Sequence, residues 1–182
     1  MKKSILLTSF DTWLSHQKSN SSDDLLAEVA RVNSLPYDLT FLRLLPVDVQ
    51  LASFRVIEKI HELQPDSIIC CGMTQRRTLL SVEVGASCGE SVLRTTVDLE
   101  QLVAGARAVE ISHDCGKFVC EGLYYSVLDE LRQHQQRTPC IFVHVPILTE
   151  ENLSLIVDDF VLIIHQMALW ETCLRLEGEK NI

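Results

Sequence analysis

The sequence predicts an α/β domain built as a three-layer α/β/α sandwich, with helices on both faces of a central, twisted sheet that is largely parallel but mixed. Three observations carry this. Apolar strand-like runs alternate with amphipathic helical stretches along most of the chain. Its 182 residues suit one core of that kind, taken as a single domain over 1–182. The composition, 47% apolar and 23% charged with 7 Gly and 5 Pro, belongs with packed chains and away from disordered or fibrous ones. There is no internal repeat, low-complexity tract or linker.

Residues 4–10 read as a buried strand, followed by a polar loop over 11–22 and a helix over 23–33 that carries Leu25, Leu26, Val29 and Ala30 on one face. A second strand spans 40–45. After Pro46, Asp48 caps a helix to Leu63, whose Val49, Ala52, Val56, Ile60 and Leu63 recur every three or four residues. Gln64-Pro65-Asp66 stops it. Strands follow at 67–71, ending at Gly72, and at 79–86; Asp98 starts a short helix to 106, and 108–112 returns as a strand. A helix over 117–136, a strand over 140–145 and a long helix over 150–176, capped by Thr149 with acids in its first turn, complete the alternation.

Charge and cysteine usage exclude several functions. A formal charge of −9, from 25 acidic and 16 basic side chains with no local basic run, would repel a phosphate backbone, so nucleic acid is not an expected partner. The apolar run after Met1-Lys2-Lys3 is interrupted by Thr8, Ser9 and Asp11, too early for a signal peptide. The most apolar window, Leu153–Trp170, carries Asp158, Asp159 and His165, which argues against a membrane span. A cytoplasmic protein is expected. Seven cysteines, at 70, 71, 88, 115, 120, 140 and 173, form no regular framework and read as reduced thiols. Without a Cys-x-x-Cys pair there is no zinc signature, and no metal or cofactor is expected.

In such folds the reactive groups gather beyond the carboxyl ends of strands. Three segments qualify: Cys71-Gly72-Met73-Thr74-Gln75-Arg76-Arg77 with Glu83 in the apolar stretch that follows, Ser112-His113-Asp114-Cys115-Gly116-Lys117-Phe118-Val119-Cys120 at a helix start, and Phe142-Val143-His144-Val145-Pro146. A thiol becomes an acyl-transfer nucleophile when its pKa is lowered, a base lies within hydrogen-bond reach, and a third group orients that base. Cys120, His144 and Glu83 are the side chains of the right types. A helix N-terminus and a neighbouring imidazolium would both favour the thiolate of Cys120, and a carboxylate on the far ring nitrogen would fix the His144 tautomer. Each also has a structural reading: a buried free Cys, a core histidine, and a strand glutamate turned to solvent. Cys115 is a rival nucleophile.

These segments, with Ile5-Leu6-Leu7-Thr8-Ser9-Phe10-Asp11, Leu45-Pro46-Val47 and Pro65-Asp66, occur in an order and spacing that resembles pyroglutamyl peptidase I, the pyrrolidone-carboxylate peptidases, over most of residues 4–170. The resemblance implies a phosphorylase/hydrolase-like fold and a cytoplasmic cysteine exopeptidase that removes an N-terminal pyroglutamyl residue from peptides without a metal. It assigns Cys120 as nucleophile, His144 as general base and then acid, and Glu83 as the group orienting His144. It also implies a lactam pocket formed by Phe10, Trp13, Asn20, Met73 and Arg77.

The chain departs from the family pattern at several of these positions. Thr12-Trp13-Leu14-Ser15 stands where the family has a proline, an aromatic and paired glycines. Asn20 falls one residue later than the family's pocket asparagine, Met73 replaces a glutamine, and Arg77 matches a family arginine. Residues 86–95 shorten a segment that resembles a lid and subunit contact elsewhere in the family, which bears on any homo-oligomer. Three readings fit the sequence: a pyroglutamyl peptidase, a cysteine amidase or peptidase of the same fold with another acyl specificity, and a binding protein that kept the fold without turnover.

Overall fold

The structure, a computed structural model, describes residues 2–32 and 35–178, with side chains through residue 170, so that Cys173 lies outside the described side chains. The chain runs β1 (Ser4–Phe10), α1 (Ser21–Val29), β2 (Asp38–Leu45), α2 (Val49–Leu63), β3 (Ser67–Met73), β4 (Leu80–Glu83), β5 (Gly85–Cys88), β6 (Ser91–Arg94), α3 (Leu99–Leu102), β7 (Val109–Ser112), α4 (Val119–Gln133), β8 (Cys140–Val145) and α5 (Leu153–Gly178). Six strands form one sheet in the order β2-β1-β3-β8-β4-β7. Among the described residues its pairings are parallel except that of β8 with β4, which is antiparallel.

Side-chain alternation along the central strands divides the core in two. Ile5 and Leu7, Ile69 and Cys71, Ile141 and Val143 face one side, packed with α1 and α5. Leu6, Ile68, Cys70, Cys140 and Phe142 face the other, packed with α2 and α4. The near-continuous apolar runs of β1, β3 and β8 thus reflect strands covered on both faces. Each large side chain withdrawn from water there contributes about 1.5–3 kcal/mol.

Several expected boundaries shift for identifiable reasons. α1 begins at Ser21 because Asn20 caps it, its side chain accepting from the Ser22 N–H. The expected strand over 79–86 is broken: β4 stops at Glu83, and the chain leaves the sheet as the β5–β6 hairpin. Gly85 permits that exit, since a Cβ there would lie 2.1 Å from the Leu93 carbonyl oxygen. α5 starts at Leu153 with no acid in its first turn, because Thr149 and Asn152 exchange hydrogen bonds through their side chains and form a turn ahead of it.

By length and composition the Leu153–Trp170 window, with mean hydropathy 1.6, could cross a membrane; 44% of it is buried in the fold. Ile156, Phe160, Ile163, Ile164 and Met167 enter the core. On the same helix Asp159 accepts from the Arg107 and Ala108 N–H groups at 2.9 and 2.6 Å. His165 is tied to the Tyr37 hydroxyl at 2.8 Å, a structural contact.

Candidate active site

The sheet brings two of the expected groups together by register alone. Ser81 of β4 lies opposite His144 of β8, and Glu83 opposite Phe142, so Glu83 and His144 are near neighbours across an antiparallel pair. Glu83 is fully buried rather than turned to solvent. Its Oε1 lies 2.7 Å from His144 Nδ1. The same oxygen accepts from Arg77 Nη1 at 2.7 Å, while Arg77 Nη2 donates to the Asp114 carbonyl at 2.6 Å. A carboxylate held by a guanidinium accepts only, so the proton of the His144 ring sits on Nδ1 and Nε2 keeps its lone pair. That is the tautomer a general base needs.

Cys120 reaches this strand pair from the first turn of α4. Gly72 of β3 is the register partner of His144, and Cys120 Sγ occupies the space above it. A Cβ on Gly72 would stand 2.6 Å from that sulfur and 2.9 Å from Phe142 Cζ. The missing side chain of one residue therefore lets the sulfur settle beside the histidine strand. The helix N-cap, Phe118, offers no side-chain hydrogen bond, which leaves the first-turn N–H groups of α4 without a capping acceptor.

The electrostatics of Cys120 differ from the sequence expectation. Its thiol is pushed up to about 12, first by burial and then by the Glu83 charge. The helix start and imidazole were expected to hold a thiolate; with the thiol buried, the neutral form prevails at rest. Cys115 is raised farther, by burial and again by Glu83. Its Sγ, a ring nitrogen of His144 and a carboxylate oxygen of Glu83 lie within 4.8 Å of one another. Cys115 thus crowds the acid, where a thiolate is repelled.

A cavity of about 150 Å³ opens beside these groups, lined by Phe10, Trp13, Asn20, Met73, Cys120 and His144 among others. Four of the five expected pocket residues therefore meet there. Asn20 does so with its amide already donating to the Asp11 carbonyl at 3.0 Å while its oxygen caps α1. Trp13 packs against Phe118 with ring centroids 6.3 Å apart. Arg77 is the exception: it does not line the cavity but pairs with Glu83, because a buried carboxylate needs a cation nearby. An adjoining cavity of about 260 Å³ lies between the β5–β6 hairpin and the β7–α4 loop, sharing Cys115 and Gly116 with the first.

Gly72 and Arg77 are the residues whose roles the sequence reading missed. In the sequence Gly72 marks only a strand end; its place opposite His144 comes from the register of β3 with β8. Arg77 lies six residues before the acid it neutralises, a separation that becomes a contact only because the chain turns between β3 and β4. The residues near Glu83 include metal-ligating types, yet a cation entering there would compete with the Arg77 guanidinium.

No protein-family model matches the chain. Among curated proteins, a pyrrolidone-carboxylate peptidase of Bacillus velezensis is 25% identical over 181 residues, 85% of this chain and 83% of that protein. One of Bacillus thuringiensis is 27% identical over 120 residues, 52% of this chain. The chain matches just over half of that relative's length, 56%. Among solved structures, pyroglutamyl peptidase I of Bacillus amyloliquefaciens superposes with a TM-score of 0.81 at 21% identity, over 93% of this chain and 96% of that one. The pyrrolidone carboxyl peptidase of Fervidobacterium islandicum AW-1 gives 0.79 at 18% identity, over 91% and 98%. At these identities the superpositions bear on the fold.

Proposed function

We propose that this chain, a member of the pyrrolidone-carboxylate peptidase family, is a cysteine omega peptidase that hydrolyses the amide bond after an N-terminal pyroglutamyl residue. The observation that carries the reading is the 2.7 Å contact of His144 with Glu83, in a strand whose partner Gly72 makes room for the Cys120 sulfur. A cavity of about 150 Å³ beside them suits one small ring, and Trp13 offers a flat wall for a lactam.

The resting thiol is neutral, so its proton leaves as the sulfur attacks. His144 Nε2 takes that proton while the Cys120 sulfur bonds to the pyroglutamyl carbonyl carbon. Glu83, held by Arg77, stabilises the imidazolium formed. First-turn N–H groups of α4 donate to the oxyanion, in a helix end where no side chain competes for them. The C–N bond then breaks, and the leaving amine takes the proton back from His144. Water, deprotonated by His144, attacks the thioester; pyroglutamate departs and the thiol is restored. The adjoining cavity beyond Cys115 and Gly116 offers the leaving peptide a path.

Release of a fluorophore from a pyroglutamyl amide tests this. It should fall roughly 10⁴-fold or more in Cys120→Ala and persist in Cys115→Ala; the opposite pattern would transfer the nucleophile to Cys115. A second reading, the same chemistry on another acyl group, draws on Met73, which brings a thioether where a side-chain amide would pair with the lactam. A site that loses a polar partner changes its discrimination strongly, by ~10⁴ in favourable cases. A panel of other N-terminal acyl amides, cleaved faster than the pyroglutamyl one, would select that reading.

A further inference from the structure

The ends of α2 and α4 meet far from the cavity, and three side chains of metal-ligating type converge there. His61 lies in the last turn of α2; Glu130 and His134 sit one turn apart at the end of α4, His134 being its C-cap. Glu130 Oε1 lies 2.7 Å from His61 Nε2 and 3.0 Å from His134 Nδ1. One donor atom from each residue lies within 4.8 Å of the other two. We infer that His61, Glu130 and His134 form a binding site for a divalent transition-metal ion of the zinc type, bolting α2 to α4.

The donor set is the two-imidazole, one-carboxylate combination that borderline ions favour, with a fourth position open to water. Tetrahedral bonds of about 2.0–2.2 Å place donors about 3.3 Å apart, a few tenths of an ångström beyond the 2.7 and 3.0 Å at which the two imidazoles already meet Glu130. The two rings meet edge to face, with centroids 5.7 Å apart at 69°. Glu130 is largely covered while both histidines are about half exposed, so the acid is anchored and the rings can turn their lone pairs inward. Neutral imidazoles bind by moving the N–H to the far nitrogen, with no net proton loss. Two helix C-termini also converge on the spot, and their carbonyl ends favour a cation.

Zinc titration of the full chain tests the site. Metal bound per chain, read by calorimetry, should fall by one equivalent in His61→Ala and in His134→Ala, both exposed positions whose loss leaves the core intact. Zinc should raise the Tm of the wild-type chain by several degrees and leave that of the two variants unmoved. Cys115→Ala and Cys120→Ala should keep both the equivalent and the Tm increment. An unchanged equivalent after removal of both histidines would overturn the site, as would an increment lost only in the cysteine variants.

Discussion

A buried thiol next to a carboxylate must be delivered as a neutral group, and that sets the chemistry of Cys120. Burial and Glu83 raise it to about 12, so its thiolate fraction grows about tenfold per pH unit through the neutral and mildly alkaline range. Alkylation of Cys120 by iodoacetamide should therefore climb steadily from pH 7 to 10, and a plateau already reached at pH 7 would mean a standing thiolate–imidazolium pair. In the proposed mechanism Glu83 has an equally specific role. Glu83→Gln keeps the size but can donate to Nδ1, stabilising the wrong tautomer of His144. A kcat loss on the order of 10²–10⁴ with nearly unchanged KM is expected; a variant with full kcat would remove Glu83 from the mechanism. Arg77 was expected at the substrate and is found on the acid, which shows why a cation in a motif is hard to assign from spacing. The sequence states its charge, while the fold decides which buried group needs that charge most.

At the scale of elements, the site depends on where β3, β4, β8 and the start of α4 meet. Gly72→Ala tests this directly, because the added methyl would press on both Cys120 Sγ and the Phe142 ring. Displacing the sulfur by about 1 Å should cost on the order of 10² in kcat, with about 1–3 kcal/mol of stability lost to overpacking, read by urea unfolding. Wild-type kcat in that variant would mean that the sulfur acts from elsewhere. Most elements could be read from periodicity: β1, α2 and β8 fall almost where their apolar patterns end. The β5–β6 hairpin could not, since residues 79–86 show one apolar run and only the tertiary approach of Leu93 to Gly85 divides it. Asn20 before Ser21-Ser22-Asp23 was a readable cap signal for α1. The pairing of His61 with Glu130 and His134 was not readable, because the packing of α2 on α4 joins residues 69 positions apart.

At the scale of the whole molecule, charge and topology would act on a peptide substrate before the proposed chemistry begins. A net charge of −9 should steer peptides with basic leaving segments toward the chain and repel acidic ones. Within one series of pyroglutamyl peptides, kcat/KM should be higher for the basic members, and the difference should shrink as salt shortens the screening length to about 8 Å at physiological strength. A salt-independent order would assign the preference to local contacts. The three-layer architecture follows from strands apolar on both faces, and it places the ends of β3 and β8 beside the start of α4.

The decisive measurement for the proposed peptidase is the covalent state of the protein while it is exposed to an acyl substrate. Protein mixed with a pyroglutamyl ester, quenched in acid within the first turnover and digested, should carry a pyroglutamyl group on the peptide containing Cys120 and on no other cysteine peptide. Steady hydrolysis with the adduct on Cys115, or with no acylated cysteine in either the wild-type chain or His144→Ala, would contradict the thioester route built on Cys120, His144 and Glu83.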